Sequence, residues 1–318
     1  MNIDHAQLAA FAAVIHDGSF EAAARRLHVT PSAISQRVRL LEERLGQVLV
    51  RRGAPCQPTE AGRVLLRHAE AVALLEAETL AGLGVGSAAG RDAPPTAAGG
   101  APPVRIPVAV NADSLETWFM DVLRARAGDG SFVLDLRVED QDHSAALLRE
   151  GTVMAAVSAS ATPVQGCRVD ALGVMRYLAV ASPEFMRRHF AKGVSARTLE
   201  HAPMLRFNAK DALQQQFIAG RCAAPLSPPT HVVPSVHGFL ALTKAGLGWG
   251  MVPETMARPA IDAGDLVELV RRRHLDVPLY WHRWRLGSQA LATLSAAVGV
   301  QARAALRPMR SATGSLTE

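Results

Sequence analysis

The sequence predicts two unlike folded parts in one chain, an N-terminal all-α unit and a C-terminal α/β unit. Three observations predict this. Up to about residue 83, apolar residues recur at helical spacing, as in Ile34, Val38, Leu41 and Leu45. Beyond residue 103, short apolar runs alternate with helical stretches, the pattern of a largely parallel sheet with helices between its strands. Between them, "GVGSAAGRDAPPTAAGGAPP" (84–103) holds only Gly, Ala, Pro, Ser and Thr besides Val85, Arg91 and Asp92. That composition cannot bury a core, so it reads as a flexible tether.

The chain of 318 residues is long enough for two or three domains, and 49% of it is hydrophobic, which excludes a disordered protein. No apolar stretch approaches the roughly 18 residues of a membrane span, and the N-terminus lacks the basic and apolar regions of a signal peptide. Cys56, Cys167 and Cys222 lie far apart, neither a disulfide framework nor a metal-ligand spacing, which suits a reducing cytoplasm. The net charge is +5. Its distribution is more telling: between Gly18 and His68 stand nine arginines against four acids. A solvated basic surface and a polyanion-binding surface both fit that count.

The first helix carries Leu8, Phe11, Ala12 and Ile15 inward and ends at Gly18 and Ser19. Ser19 caps a second helix, Phe20 to Leu27. His28 and Val29 turn the chain. Thr30 caps a third helix, with Pro31 at its first position, where a missing N–H costs nothing. Ile34, Val38, Leu41 and Leu45 share one face of that helix. The opposite face carries Ser32, Gln36 and Arg39, with Ser35 to one side and Arg37 near the core boundary. Two helices around a tight corner, the second polar-faced, form a helix-turn-helix whose second helix fits the major groove; an ordinary helical hairpin of a bundle is the alternative. "VLVRRGAPCQPTEAG" then suits a small β-hairpin wing with Arg51 and Arg52 beside a phosphate backbone. Thr59 caps a long helix, Glu60 to about Leu83. Leu65, Val72, Leu75 and Leu83 give it a sparse seam that suits pairing with a second copy, since its own small unit offers little else to pack on; packing on its own three-helix unit is the alternative and explains only the start of the seam.

In the second part, the strand-like runs are 104–110, 132–138, 153–158, 177–182, 203–207, 230–234, 248–253 and 278–284. Gly246, Gly248 and Gly250 precede a strand, the wrong order for a nucleotide loop, so turn and close packing explain them. "YWHRW" alternates like a half-buried strand, which makes His282 structural, and Trp118 reads as core. No nucleophile elbow, H-E-x-x-H, C-x-x-C or Walker loop is present, so neither an enzyme nor a cofactor is expected.

The order of parts resembles the LysR-type transcriptional regulators, on "GSFEAAARRLHVTPSAISQRVRLLEERLG" and "PTEAG". The resemblance covers nearly the whole chain. It implies a winged helix-turn-helix at 1–59, a dimerising linker helix at 60–83, the tether at 84–103, and a two-lobed, periplasmic-binding-protein-like (type 2) effector domain. Lobe I would be 104–174 with 275–308, and lobe II 175–274. It implies that Thr30, Ser32, Ser35, Gln36 and Arg37 read DNA, with Arg39, Arg51 and Arg52 beside them. Pro31 stands where the family often has glutamine and can make no amide contact.

"VNADSLETWF", "VEDQDHSAALLREG", "AGLGWGMVPE" and "LYWHRW" resemble the lysine- and arginine-responsive subfamily. That implies activation of an amino-acid exporter gene by a basic amino acid (lysine, arginine or histidine), in a homodimer or dimer of dimers working on double-stranded DNA with RNA polymerase. The effector candidates are Asn111, Asp113, Ser114, Glu139, Asp140, Asp142, Asn208, Ser235 and His237. "NADSLET" ends a strand and opens a helix whose N–H groups suit a carboxylate, and the acids of "VEDQD" suit a cationic side chain. Asp113 and Glu116 also read as a capping box, and the acids of "VEDQD" as a solvated turn. His237 stands where the subfamily often has glutamate, a poor exchange for a cationic ligand. The tether is longer than the subfamily pattern, so loose coupling between domains is expected. A LysR-type regulator with another effector, or a DNA-binding protein with none, are the alternatives.

Overall fold

The computed structural model describes residues 3–83, 104–126, 132–139, 144–222 and 224–309. The tether 84–103, Asp140 and Asp142 lie outside the described residues. Helices α1 (His5–Asp17), α2 (Phe20–Arg26) and α3 (Pro31–Leu45) pack on one another and are followed by an antiparallel hairpin, β1 (Val50–Arg51) with β2 (Gln57–Pro58). Gly18 ends α1 in the left-handed region at φ 71°, and the side chains of Ser19, Thr30 and Thr59 accept from the N–H groups of Ala22, Ala33 and Gly62. These caps set where α2, α3 and α4 (Glu60–Gly82) begin. The core of this unit is Leu8, Phe11, Val14, Ile34, Val38, Leu41, Leu49 and Leu66 with small alanines; Ala12 and Ile15 only flank it.

Among the described residues, the second part has one sheet of seven strands and a small one of two. The large sheet holds β3 (Val104–Val110), β4 (Phe132–Val138), β5 (Ala155–Ser158), β6 (Cys167–Ala181), β9 (Gly250–Pro253), β10 (Val267–Glu268) and β11 (His274–Trp284). The small one pairs β7 (Met204–Arg206) with β8 (Thr230–Val232). Around them run α5 (Ala112–Ser114), a π-helical turn (Leu115–Phe119), α6 (Met120–Arg124), α7 (Ser144–Glu150), α8 (Pro183–His189), α9 (Ala196–His201), α10 (Leu213–Ala219), α11 (Val236–Lys244), α12 (Glu254–Asp262) and α13 (Gln289–Ala305).

The expectation of a largely parallel sheet is corrected. Within the large sheet, β3 pairs with β4 and β5 in parallel, but β6 and β11 lie antiparallel to each other and to their other neighbours. Both are long strands that carry the chain across the middle of the domain. Only the apolar end of β6 was visible in the sequence run 177–182. A buried apolar run looks alike in either orientation, so periodicity did not distinguish them. The expected packing of Gly246, Gly248 and Gly250 holds: Gly246 has φ +77°, and a Cβ on Gly250 would lie 2.4 Å from the Phe239 ring. Trp118 is buried, and buried His282 bonds through Nε2 to the Ser160 carbonyl at 2.7 Å. Among the described residues no helix is long and apolar enough to cross a membrane.

Helix α4 departs from expectation in a consequential way. Leu65 does not belong to a seam; it is buried in the N-terminal core. Leu74 is buried in the core of the second part, and α4 packs against α7 and β3. The helix therefore does have something else to pack on within its own chain. Leu75 and Leu83 remain exposed on the other side, with Val64 and Leu80.

Candidate functional site

The polar face of α3 is presented as the spacing requires. Ile34, Val38 and Leu41 are buried, while Ser32, Gln36 and Arg39 are exposed and Ser35 and Arg37 are half-buried. Thr30 both caps the helix and meets the Ser32 hydroxyl at 2.9 Å, which fixes the first turn. Gln36 makes no side-chain hydrogen bond among the described residues, so its amide is available to a partner. Arg39 pairs with Glu43 one turn on at 2.7 Å, an exposed pair of small worth. The Glu42 carboxylate accepts from the Leu49 and Val50 N–H groups, tying the end of α3 to the hairpin. Arg51 and Arg52 stand exposed on that hairpin; Arg51 donates to the Gln57 amide oxygen and Arg52 lies over the Phe20 ring.

The second site is a cleft that gathers the carboxyl ends of β3 and β4, the loop after β7, and the first turns of α10, α11 and α12. Of the effector candidates, Asn111, Asp113, Glu139 and Asn208 line it. The Asn111 side chain is buried, and its Oδ1 has no partner among the described residues. Asp113 accepts from the Tyr177 hydroxyl at 2.7 Å. Glu139 receives Lys210 Nζ at 2.8 Å, which links the β4 edge to the loop after β7. Asn208 accepts from the N–H groups of Lys210 and Asp211, holding that loop in shape. Asp211 also lines the cleft, but its carboxylate accepts from the N–H groups of Phe207 and Leu213, so it braces the loop.

Three candidates stand elsewhere. Ser114 is fully buried beneath the cleft wall, with its hydroxyl unpartnered among the described residues. Ser235 caps α11 by accepting from Gly238 N–H at 3.1 Å. His237 is exposed and faces Glu116 at 3.5 Å, outside the cleft lining. The capping box also fails: Asn111, not Asp113, occupies the N-cap position, and Asp113 bonds Tyr177 instead. The reason is a helix that starts one residue beyond Asn111, which turns Asp113 toward β6. Sequence reading missed Tyr177 and Lys210. Lys210 lies just past the carboxyl end of a strand, the position that drew attention to Asn111; Tyr177, within an apolar run, gave no signal.

Comparison with known proteins covers both parts of the chain. Residues 5–63 match the bacterial regulatory helix-turn-helix protein, lysR family, and residues 101–302 match the LysR substrate binding domain. The chain is 48% identical over 293 residues to the HTH-type transcriptional regulator LysG of Mycobacterium tuberculosis, covering 92% of this chain and 91% of that one. It is 44% identical to the lysine export transcriptional regulatory protein LysG of Corynebacterium efficiens, covering 92% and 96%. Among solved structures, ArgP from Mycobacterium tuberculosis superposes with a TM-score of 0.82 at 47% identity, over 97% of this chain and all of that one. Full-length LysG from Corynebacterium glutamicum, with bound effector Arg, gives 0.75 at 40% identity, over 96% and 100%. The chain belongs to the LysR family of bacterial regulatory helix-turn-helix proteins.

Proposed function

We propose that this protein is a DNA-binding transcriptional regulator that activates an amino-acid exporter gene when a basic amino acid accumulates. The observation that carries the effector assignment is the cleft's charge arrangement. Lys210 and Glu139 already hold opposite charges 2.8 Å apart, with Asp113 on the same wall. A basic amino acid brings a carboxylate for Lys210 and a cationic end for Glu139 or Asp113, so it replaces an internal pair with two better-directed ones. Lys210 and Glu139 are both part-exposed, and such a pair contributes at most about 1 kcal/mol, so exchange meets little resistance. Asn111, whose buried Oδ1 has no partner among the described residues, lines the same wall. The relatives named for lysine export, and a neighbour that holds arginine as its effector, support the same class of ligand.

On DNA, Thr30, Ser32, Ser35, Gln36 and Arg37 face the major groove, with Arg39, Arg51 and Arg52 on the flanking phosphates. The exposed stripe Leu75, Leu80 and Leu83 on α4 pairs with a second copy, giving two recognition helices for two half-sites. The domain division is 1–59, 60–83, 84–103, lobe I at 104–174 with 275–308, and lobe II at 175–274. The protein acts in the cytoplasm on the promoter it shares with RNA polymerase and does no catalysis. Isothermal titration with lysine, arginine and histidine tests the reading. Saturable heat with at least one of them is expected; no heat with any of the three, on folded protein, contradicts it.

A further inference from the structure

Glu78, near the end of α4, lies 210 residues from its partners in sequence. Its Oε1 accepts from the Ser288 hydroxyl at 2.6 Å and from Ala290 N–H at 2.8 Å, and its Oε2 accepts from Gln289 N–H at 3.2 Å. Ser288 is the N-cap of α13, a 17-residue helix, and its hydroxyl also accepts from Leu291 N–H at 3.1 Å. A single carboxylate on the linker helix thus closes the N-terminus of an effector-domain helix. Negative charge is favoured there, and the bonds are charge-assisted.

The same face of α4 makes further contacts. Arg67, Ala71, Leu74 and Glu78 follow at spacings of four, three and four. Leu74 is buried in the effector-domain core and Ala71 packs against it. Arg67 lies so close to Gly151 that a Cβ there would sit 2.4 Å from its Cγ, and it reaches the Gln165 carbonyl at 3.4 Å. Toward its beginning, α4 places Leu65, Leu66 and Ala69 in the DNA-binding core, and Glu70 bonds His16 of α1. One helix is therefore shared by two cores.

The contact leads toward the effector cleft by two short routes. Helix α4 packs on β3, whose carboxyl end delivers Asn111. Helix α13 packs on the π-helical turn and α6, the continuation of the helix that carries Asp113.

We propose that Glu78 is a positioning residue that couples effector binding to DNA binding. By holding α4 on α13, it makes lobe I and the linker helix one body. Effector-driven movement of lobe II against lobe I is then transmitted to the DNA-binding pair rather than lost at the joint. This rests on the functional reading above, and it replaces the loose coupling that the long tether suggests: the joint is the docked helix. A ligand shifts the equilibrium only if the two states differ in its contacts, and a slack joint would leave the DNA-binding unit indifferent to that difference.

The test compares wild type with Glu78→Ala and the isosteric Glu78→Gln in full-length protein. Three readouts are needed: operator affinity without effector, arginine and lysine affinity by calorimetry, and the effector-induced change in the operator footprint. Wild type should respond. Glu78→Ala should bind operator and amino acid within about twofold of wild type, the range of a substitution outside both sites. Its effector-linked change in DNA binding should fall about tenfold or vanish, and Glu78→Gln, which keeps an acceptor but no charge, should fall between. If Glu78→Ala does not fold, Glu78→Gln carries the test, with its reduced response as the expected result. An undiminished response in the folded variants overturns the proposal, as does loss of amino-acid affinity in step with response, which would make Glu78 a support for lobe I alone. A wild type that binds DNA but responds to neither amino acid removes the functional reading and this proposal together; equal response in wild type and variants removes this proposal alone.

Discussion

On α3, Gln36 stands exposed with its amide uncommitted, and Ser32 is held only by its own helix cap. In the cleft, the charged side chains are already engaged: Glu139 with Lys210, Asp113 with Tyr177, Asp211 with its own loop. The difference fits the two ligands of the proposed function. A duplex is rigid and regular, so a surface that meets it gains by being preformed and open. A small zwitterion must instead displace internal bonds, and that displacement is what allows its arrival to change the protein's state. On the proposed function, the α3 surface is thus built to bind and the cleft to respond.

The largest expected effect probes the cleft. Lys210→Met removes the carboxylate's partner and should weaken arginine and lysine binding by about 2 kcal/mol or more, roughly thirtyfold, with operator affinity in the absence of effector unchanged. Equal calorimetric affinity in wild type and variant would place the ligand elsewhere. Next is the open surface. Gln36→Ala should cost about 1–3 kcal/mol on a specific site and far less on random duplex, measured by fluorescence anisotropy at matched salt. Equal losses on both duplexes would mean that Gln36 does not read a base. A third comparison concerns how the open surface is held: Thr30→Ala removes the α3 cap and should lower stability by about 1 kcal/mol in urea unfolding.

The smallest effect is acid sensitivity of the effector domain. Burial lowers the His282 pKa below the usual histidine value, only partly offset by its bond to the Ser160 carbonyl. The unfolded chain therefore binds a proton that the folded one resists. Stability from this site is complete above about pH 6.5 and declines as pH falls below it. Glu254 behaves alike at lower pH: burial would raise its pKa, but the bonds from Arg307 and Arg258 outweigh it and hold it below the usual range. Melting temperatures from pH 7.5 to 5.5 should fall for wild type and less steeply for His282→Asn; parallel slopes would clear His282 of the effect.

These two surfaces were unequally legible. Nearly all of the DNA-binding unit could be read from the sequence because its signals are local: Gly18, Ser19, Thr30, Pro31 and Thr59 mark element ends, and the apolar spacing sets the buried face of α3. The cleft depends on Asp113, Glu139, Tyr177 and Lys210, which meet only through the fold. Short polar residues before helices were ambiguous in both directions. Asp113 looked like a cap and bonds Tyr177, while Ser235 looked like a ligand and caps α11. For Asp113, a two-residue difference in where the helix begins decides between those roles, and helix ends are where sequence patterns are least exact. Likewise, Leu65 and Leu74 look alike on α4, yet one belongs to each core.

Footprinting the protein on the upstream region of its own gene, with and without arginine or lysine, tests most directly whether one chain joins an open DNA-reading surface to a responsive cleft. Protection of two half-sites related by imperfect two-fold symmetry is expected, with a footprint that changes in extent or pattern when the basic amino acid is added and not when glutamate is. Protection without such symmetry, or a footprint indifferent to all of these amino acids, would contradict the account.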